Sequence, residues 1–501
     1  MCSFFCACFM LFYKVVYKRE AIWYNYCNEF KGEKDMFDKI IAAVNDALYS
    51  YILIIILIAG GIYFTVRTKG AQFRLLGAQL RAVTEKPKDG KGVSSFQALM
   101  VSTASRVGTG NIIGVSTALC LGGFGAMFWM WVIAAIGGAT ALVESTLAQI
   151  YKKRGPSGAY GGPAYYIEKG IGSKPLAILF SVVLIITYGV GFNMLASYNL
   201  QSTFSTYSFY NTQYTPWIIG AILAVLVGYC LLGGGKRIMK TTGLLVPVMG
   251  VAYIFIAIVV LFINITELPH VIAEIFRSAF DVKAIFGGFS GSCVMYGIKR
   301  GLYSNEAGVG SAPNASASAD VQHPVKQGLV QILSVFIDTI LVCSATGFMC
   351  MTSGVEASEA LSGAPYVQAA LSASLGGFGP IFITVAMTLF AFTTLLGNLY
   401  YVDQCVFYIL GKVPSKKVQH AYHIAAALLV LLGAGLSADL LWNISDLTMG
   451  VMTLINVPVI LILGKYAFRA LKDYEKQHKA GEEPVFHAAN IDLPHDVDYW
   501  Q

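Results

Sequence analysis

Five residues in the middle of a long apolar run, Val107-Gly108-Thr109-Gly110-Asn111, have the types and spacing to do chemistry. Two glycines and an asparagine weaken a helix at that point. Inside a bilayer, broken backbone is tolerated only where it is buried in protein or lines a cavity. Carbonyls released by the break can coordinate a cation, and N–H groups at the start of the next half-helix can hold a carboxylate. Asn111 adds a side-chain oxygen at the same level. A second glycine-rich interruption, Gly287-Gly288-Phe289-Ser290-Gly291, occurs five apolar runs later. Close packing of helices through small residues accounts for either motif alone. Interruptions paired at matching places of two halves point instead to a ligand site in an inverted-repeat carrier.

Arg106, Glu144, Asn193, Asp338, Thr339, Thr393, Thr394 and Asn398 also fall within apolar runs. A charge at that depth costs roughly 3 kcal/mol or more unless it is paired or wet. Thr393 and Thr394 offer hydroxyl oxygens to a hard cation such as sodium, although threonine in a membrane helix often bonds its own backbone four residues back. Asp338 is the stronger candidate, with a helix-bridging salt bridge as its alternative. Glu144 is two turns from Lys152, which suits a structural role. Arg106 adjoins the first break and is expected to pair with an acidic neighbour; the other reading is a fixed positive charge in place of a bound cation. No G-x-x-x-x-G-K-[ST], H-E-x-x-H or G-x-S-x-G motif occurs, and the 7 histidines lie in loops, at the ends of apolar runs or in the tail. Phosphate-loop ATP hydrolysis, a zinc enzyme and a serine hydrolase therefore find no support. No cofactor is expected.

The elements that must hold these groups are membrane helices. The chain of 501 residues is 56% hydrophobic and only 13% charged, with a mean hydropathy of +0.62. Each crossing needs roughly 20 apolar residues, and about eleven such runs are present. They lie near 46–66, 95–121, 125–150, 175–205, 216–233, 242–264, 284–302, 326–352, 376–403, 419–437 and 446–468. The net charge of +7 sits in short loops and not in a basic domain, which argues against nucleic acid as a partner. Basic residues cluster after every odd-numbered run: Arg67 to Lys91, Lys152 to Arg154, Lys236 to Lys240, Lys299-Arg300 with Lys326, Lys412 to Lys417, and Lys465 to Lys472. By the positive-inside rule the N-terminus is outside and the C-terminus cytoplasmic. Lys14, Lys18 and Arg19 would then lie on the wrong side. Met36 accordingly reads as the natural start, and 1–35 as a non-native or disordered extension. The extra helix and an amphipathic segment occupy 36–94, two repeats occupy 95–264 and 265–468, and a solvated cytoplasmic tail covers 469–501.

Ser105 to Glu144, with its S-R-V-G-T-G-N-I-I-G core, resembles the alanine-or-glycine:cation symporter family, the sodium:alanine symporters. Arg300-Gly301-Leu302-Tyr303-Ser304-Asn305-Glu306-Ala307-Gly308-Val309-Gly310-Ser311-Ala312-Pro313, Phe336-Ile337-Asp338-Thr339 and Gly162-Pro163-Ala164-Tyr165-Tyr166 resemble it as well. The resemblance implies an all-α integral membrane protein of the leucine-transporter (LeuT) fold, two inverted five-helix repeats plus an extra N-terminal helix. It implies import of alanine or glycine with sodium, by alternating access, across the plasma (inner) membrane. Substrate contacts would come from Thr109, Gly110, Asn111, Asn193, Gly288, Phe289, Gly291, Thr394 and Asn398. Sodium contacts would come from Val107, Asn111, Asp338, Thr339, Thr393 and Thr394. Two positions depart from the family: Asn398 stands where it has tryptophan, and Ala196 where it has glutamine. Losing an indole widens the site and makes it more polar, which opens it to serine, asparagine or glutamine. A proton-coupled carrier of the same fold, with Asp338 or Glu144 titrating, is the alternative. A non-transporting sensor and a pore are weaker ones.

Overall fold

The computed structural model describes residues 41–87, 92–155, 158–281, 293–493 and 497–500. The expected extension 1–35 and the interruption Gly287–Gly291, with candidates Gly288, Phe289 and Gly291, lie outside these. A bilayer leaves backbone N–H and C=O groups no water to bond, so crossing segments satisfy them internally as helices. The described chain is helical apart from one hairpin, β1 (Lys153–Gly155) paired antiparallel with β2 (Gly158–Tyr160), and a single bridge between Val93 and Ala319. Among the described residues eight helices are long and apolar enough to cross a membrane, and Gly110–Gly122 and Thr215–Leu231 are shorter apolar helices.

In chain order the main helices are α1 (Leu53–Arg67), the amphipathic α2 (Leu76–Val83), α3 (Ser95–Arg106), α4 (Val115–Gly122), α5 (Gly125–Ile150), α6 (Lys174–Leu184) and α7 (Phe192–Ser202). Then come α8 (Thr215–Leu231), α9 (Gly234–Ile263), α10 (Leu268–Ala279), α11 (Cys293–Asn305), α12 (Pro313–Ser316) and α13 (Pro324–Val335). The last are α14 (Ser344–Met351), α15 (Ala364–Leu375), α16 (Phe378–Leu410), α17 (Lys416–Ala434) and α18 (Ala438–Lys479). α3 starts on a capping box: Ser94 Oγ accepts from Gln97 N at 3.1 Å, and Gln97 Oε1 accepts from Ser94 N at 3.0 Å. That satisfies two of the orphan donors of the first turn.

α5 is the hub, packing on α1, α11 and α13, while α8 packs on α17 and α16 on α3. The outward faces of α8 and α9 expose Trp217, Ile222, Val225 and Tyr229, and Leu244, Val248, Val251, Phe255 and Phe262. A continuous apolar exterior of this kind belongs against lipid. The interior holds the reverse: Arg106, Glu144, Asp338, Asn111, Asn193 and Asn398 are all buried.

The break expected within the run 95–121 is present, since its helix stops at Arg106 and the next begins at Gly110. Two expectations change. The basic cluster after the seventh run does not form. Lys299 and Arg300 lie inside α11 and pair with Asp446 near the start of α18, at 2.9 and 3.4 Å. Lys326 pairs with Glu85 at 3.0 Å and with Glu483, beyond the other end of α18. Second, the described residues after α18 are packed, with Phe486, Ile491, Val497 and Trp500 buried. Their aromatic and branched side chains find cover on the body of the protein.

Candidate functional site

Two chain breaks meet at the centre. The first opens at Val107, whose φ of −75° and ψ of 88° carry the backbone out of α3. The second follows α11, where Glu306, Gly308 and Gly310 take φ of 55°, 91° and 85° before α12 begins. Glycine takes such angles freely. For Glu306 they cost about 1–2 kcal/mol, so its neighbours must hold it there. Ser311 Oγ donates to Glu306 Oε2 at 2.7 Å, and Ser105 Oγ, on the last turn of α3, donates to Oε1 at 2.9 Å. One buried carboxylate thus joins the two breaks.

Asn111 ties the first break to the bundle. Its Oδ1 accepts from Gly108 N at 2.7 Å, and its Nδ2 donates to Asp338 Oδ1 at 2.7 Å. Asp338 Oδ2 accepts from Ser304 Oγ and from Thr339 Oγ1, each at 2.8 Å. Ser304 is on α11, so Asp338 also reaches the second break. Three donors thus satisfy the oxygens of this buried carboxyl group. Asn111 and Thr339 spend their polar atoms on this node. Thr393 Oγ1 donates to its own helix, to Leu389 O at 2.9 Å. Thr394 differs: its Oγ1 is buried and, among the described residues, has no hydrogen-bond partner. It faces Gly108, where a Cβ would sit 2.1 Å from that oxygen. Among the expected cation ligands on side chains, Thr394 is the one with an uncommitted oxygen.

Arg106 is buried but forms no ion pair among the described residues; its Nη1 donates to Gln331 Oε1 at 2.9 Å. Glu144 does not meet Lys152. It accepts from Gly308 N at 3.4 Å and from Asn456 Nδ2 at 2.9 Å, so it props the second break.

The substrate candidates converge on the same place. Asn398 Nδ2 donates to Asn193 Oδ1 at 3.0 Å, and Asn398 Oδ1 lies 2.7 Å from Ser105 Oγ. Ala196 is fully buried on the same helix as Asn193. Thr109 Oγ1 accepts from Asn199 Nδ2 at 3.1 Å. Over Gly110 lies Tyr303, packed between the tilted rings of Phe192 (4.6 Å) and Trp442 (4.9 Å), with Arg300 4.0 Å above Trp442. The aromatic cluster and the Arg300–Asp446 pair close the centre on that side. A Cβ at Gly110 would lie 2.7 Å from the Tyr303 ring. Gly110→Ala is therefore expected to displace Tyr303 and cut uptake at least tenfold, at an unchanged amount of membrane-inserted protein on immunoblots.

Glu306, Ser105, Ser311 and Ser304 were not among the candidates read from the chain. Their signal was present in Asn305-Glu306-Ala307-Gly308-Val309-Gly310, a charged residue beside two spaced glycines. The adjoining apolar run and its glycines at 287–291 masked it.

Residues 34–488 match the family model described as the sodium:alanine symporter family. The chain is 42% identical to "Amino-acid carrier protein AlsT" of Bacillus subtilis (strain 168), covering 93% of this chain and 98% of that one. It is 41% identical to "Probable sodium/glutamine symporter GlnT" of the same organism, over 93% and 97%. Among solved structures it resembles MhsT in complex with L-phenylalanine, with a TM-score of 0.55 and 17% identity, over 78% of this chain and 93% of that one. That likeness speaks for the fold.

Proposed function

The chain belongs to the sodium:alanine symporter family, and from that premise we propose that it imports a small neutral amino acid, alanine or glycine, together with sodium. The observation that carries this reading is the uncommitted Thr394 oxygen facing the Gly108 break, beside the fully bonded Asn111–Asp338 node. Sodium binds there, between Thr394 and the backbone of Val107, with Thr393 behind it and Asn111, Asp338 and Thr339 fixing the geometry. The amino-acid carboxylate takes the N–H groups at the start of the Gly110 half-helix, favoured by the helix dipole. Thr109, Asn193 and Asn398 line the side-chain end.

Two inverted five-helix repeats behind an extra first helix move by alternating access, in the plasma membrane, with the N-terminus outside. The packing of α5 on α13 and of α8 on α17 supports the repeat, since each pair joins matching members of the two halves. A ligand shifts such an equilibrium only by its differential affinity for the two states, and sodium at the break supplies part of that difference. The test is radiolabelled alanine uptake into proteoliposomes with and without an inward sodium gradient. Sodium-driven accumulation supports the reading, and accumulation driven equally by a pH gradient alone sinks it.

The Asn193–Asn398 pair favours a second reading, a site that accepts a side-chain amide or hydroxyl. A pocket built to hydrogen-bond a polar group discriminates far more strongly than an apolar one. Asn398→Trp is expected to restore a small apolar pocket. Glutamine and serine should lose at least tenfold in competition against alanine uptake, while alanine itself changes little.

A further inference from the structure

The residues after α18 are docked into a built crevice. Phe486 N donates to Gln322 O at 3.0 Å. Tyr499 Oη donates to Asp320 Oδ1 at 2.8 Å, and Trp500 Nε1 donates to Gln149 O at 2.7 Å. Arg154 Nη2 donates to Tyr499 O at 3.3 Å. Lys152 Nζ lies 3.8 Å from the centre of the Tyr499 ring and 4.9 Å from that of Trp500, and donates to Ala319 O at 2.8 Å. Burial draws Lys152 down to about 7, against the pull of Asp320 and with the push of Arg154. The two ring faces and one carbonyl are what its ammonium has in place of water. Trp500 is 8% exposed and Phe486 4%.

The crevice lies where the two broken helices leave the bundle. Its wall, 317–323, continues the second broken helix beyond α12. That wall meets the start of the first: Asp320 N donates to Val93 O at 2.8 Å, and Val93 bridges Ala319 in parallel. The approach is close, because a Cβ at Gly92 would lie 2.6 Å from Asp320 Cβ. The central site can open to this face only if the start of α3 and the 313–323 segment part. Asp320 sits at that seam, bonded on one side to Val93 and on the other to Tyr499.

We propose that residues 480–493 and 497–500 form a releasable latch, whose Tyr499-Trp500 pair docks between Lys152 and Asp320 and holds this gate shut until it lets go. The segment itself is the occupant of the crevice, since three hydrogen bonds and two ring contacts already seat it there. A latch of this kind biases a two-state element and leaves the binding centre untouched. The gating role rests on the carrier reading above; the docking does not.

Hydrogen exchange of the purified full chain, read by mass spectrometry over 313–323, tests it. Trp500→Ala is expected to speed exchange there at least tenfold while α16 keeps its protection. Tyr499→Phe, which removes only the hydroxyl on Asp320, should give a smaller rise in the same segment. In proteoliposomes both variants should raise the half-saturating sodium concentration, because the inward-open population grows. Unchanged exchange in both variants overturns the latch, and so does an equal loss of protection in α16 and 313–323, which would make the segment a general brace. If Trp500→Ala does not fold, Tyr499→Phe decides by the same reading. Faster exchange in a chain that carries no amino acid would sink the carrier reading and the gating role with it, and leave the docking standing.

Discussion

Asn111→Leu is expected to lower sodium-driven uptake by two to three orders of magnitude while the protein inserts and purifies normally. Asn111 holds two partners at once, Gly108 N and Asp338 Oδ1, each at 2.7 Å. Leucine is close in volume and keeps the packing, but it strips a donor from a buried carboxylate and an acceptor from a buried N–H. A hydrogen bond to a charged group is worth about 1.5–3 kcal/mol, and an unpaired buried polar group costs about 1–3 kcal/mol. Together these span about 2.5–6 kcal/mol, and at about 1.4 kcal/mol per tenfold two to three orders of magnitude lie within that span. The cost falls on the geometry of the break, where Gly108 must face Thr394. The measurement is initial uptake rate per inserted molecule, with monodisperse elution in detergent as the folding control. A rate within threefold of the parent would remove Asn111 from the site.

Glu306→Ala should be as severe, for a different reason. Glu306 lies in the second break and bonds both breaks, through Ser105 and Ser311. Alanine abolishes both contacts and keeps the unfavourable φ of 55°. Uptake should fall at least a hundredfold, and thermal stability should fall with it. Glu306→Gly separates the two causes. It relieves the backbone strain of about 1–2 kcal/mol but still lacks the clamp, so it should recover stability relative to alanine without recovering transport. Full activity in Glu306→Gly would show that strain alone was the defect. Glu306→Gln keeps one acceptor and should fall between the parent and alanine.

Much of this protein is legible along the chain. The apolar runs, their lengths and the interruption at Gly108 follow from rules that act locally. A bilayer demands about 20 apolar residues per crossing, and two glycines weaken any helix. Asp338, Asn111 and Thr394 stand out because polar groups in apolar runs are costly wherever the chain folds. The departures Asn398 and Ala196 are equally visible.

What a residue's partner is remains hidden, because it depends on elements hundreds of positions away. Asn111 reads as a ligand from its type, yet tertiary packing spends its amide on Asp338 and Gly108. Thr393 and Thr394 look equivalent, and only helix rotation leaves one oxygen uncommitted. Arg300 passes for a loop charge until α18 brings Asp446 to it inside the bundle. The segment after α18 is polar in composition and reads as solvated. Its few aromatic residues find their cover on Gln149, Lys152 and Asp320. By itself the sequence determined a membrane bundle, one of its breaks and the chemical types gathered near it. Which oxygen stays open, which carboxylate joins the two breaks and what seals the far face were decided by tertiary structure, because a buried polar group takes its role from whichever partner folding places within about 3 Å.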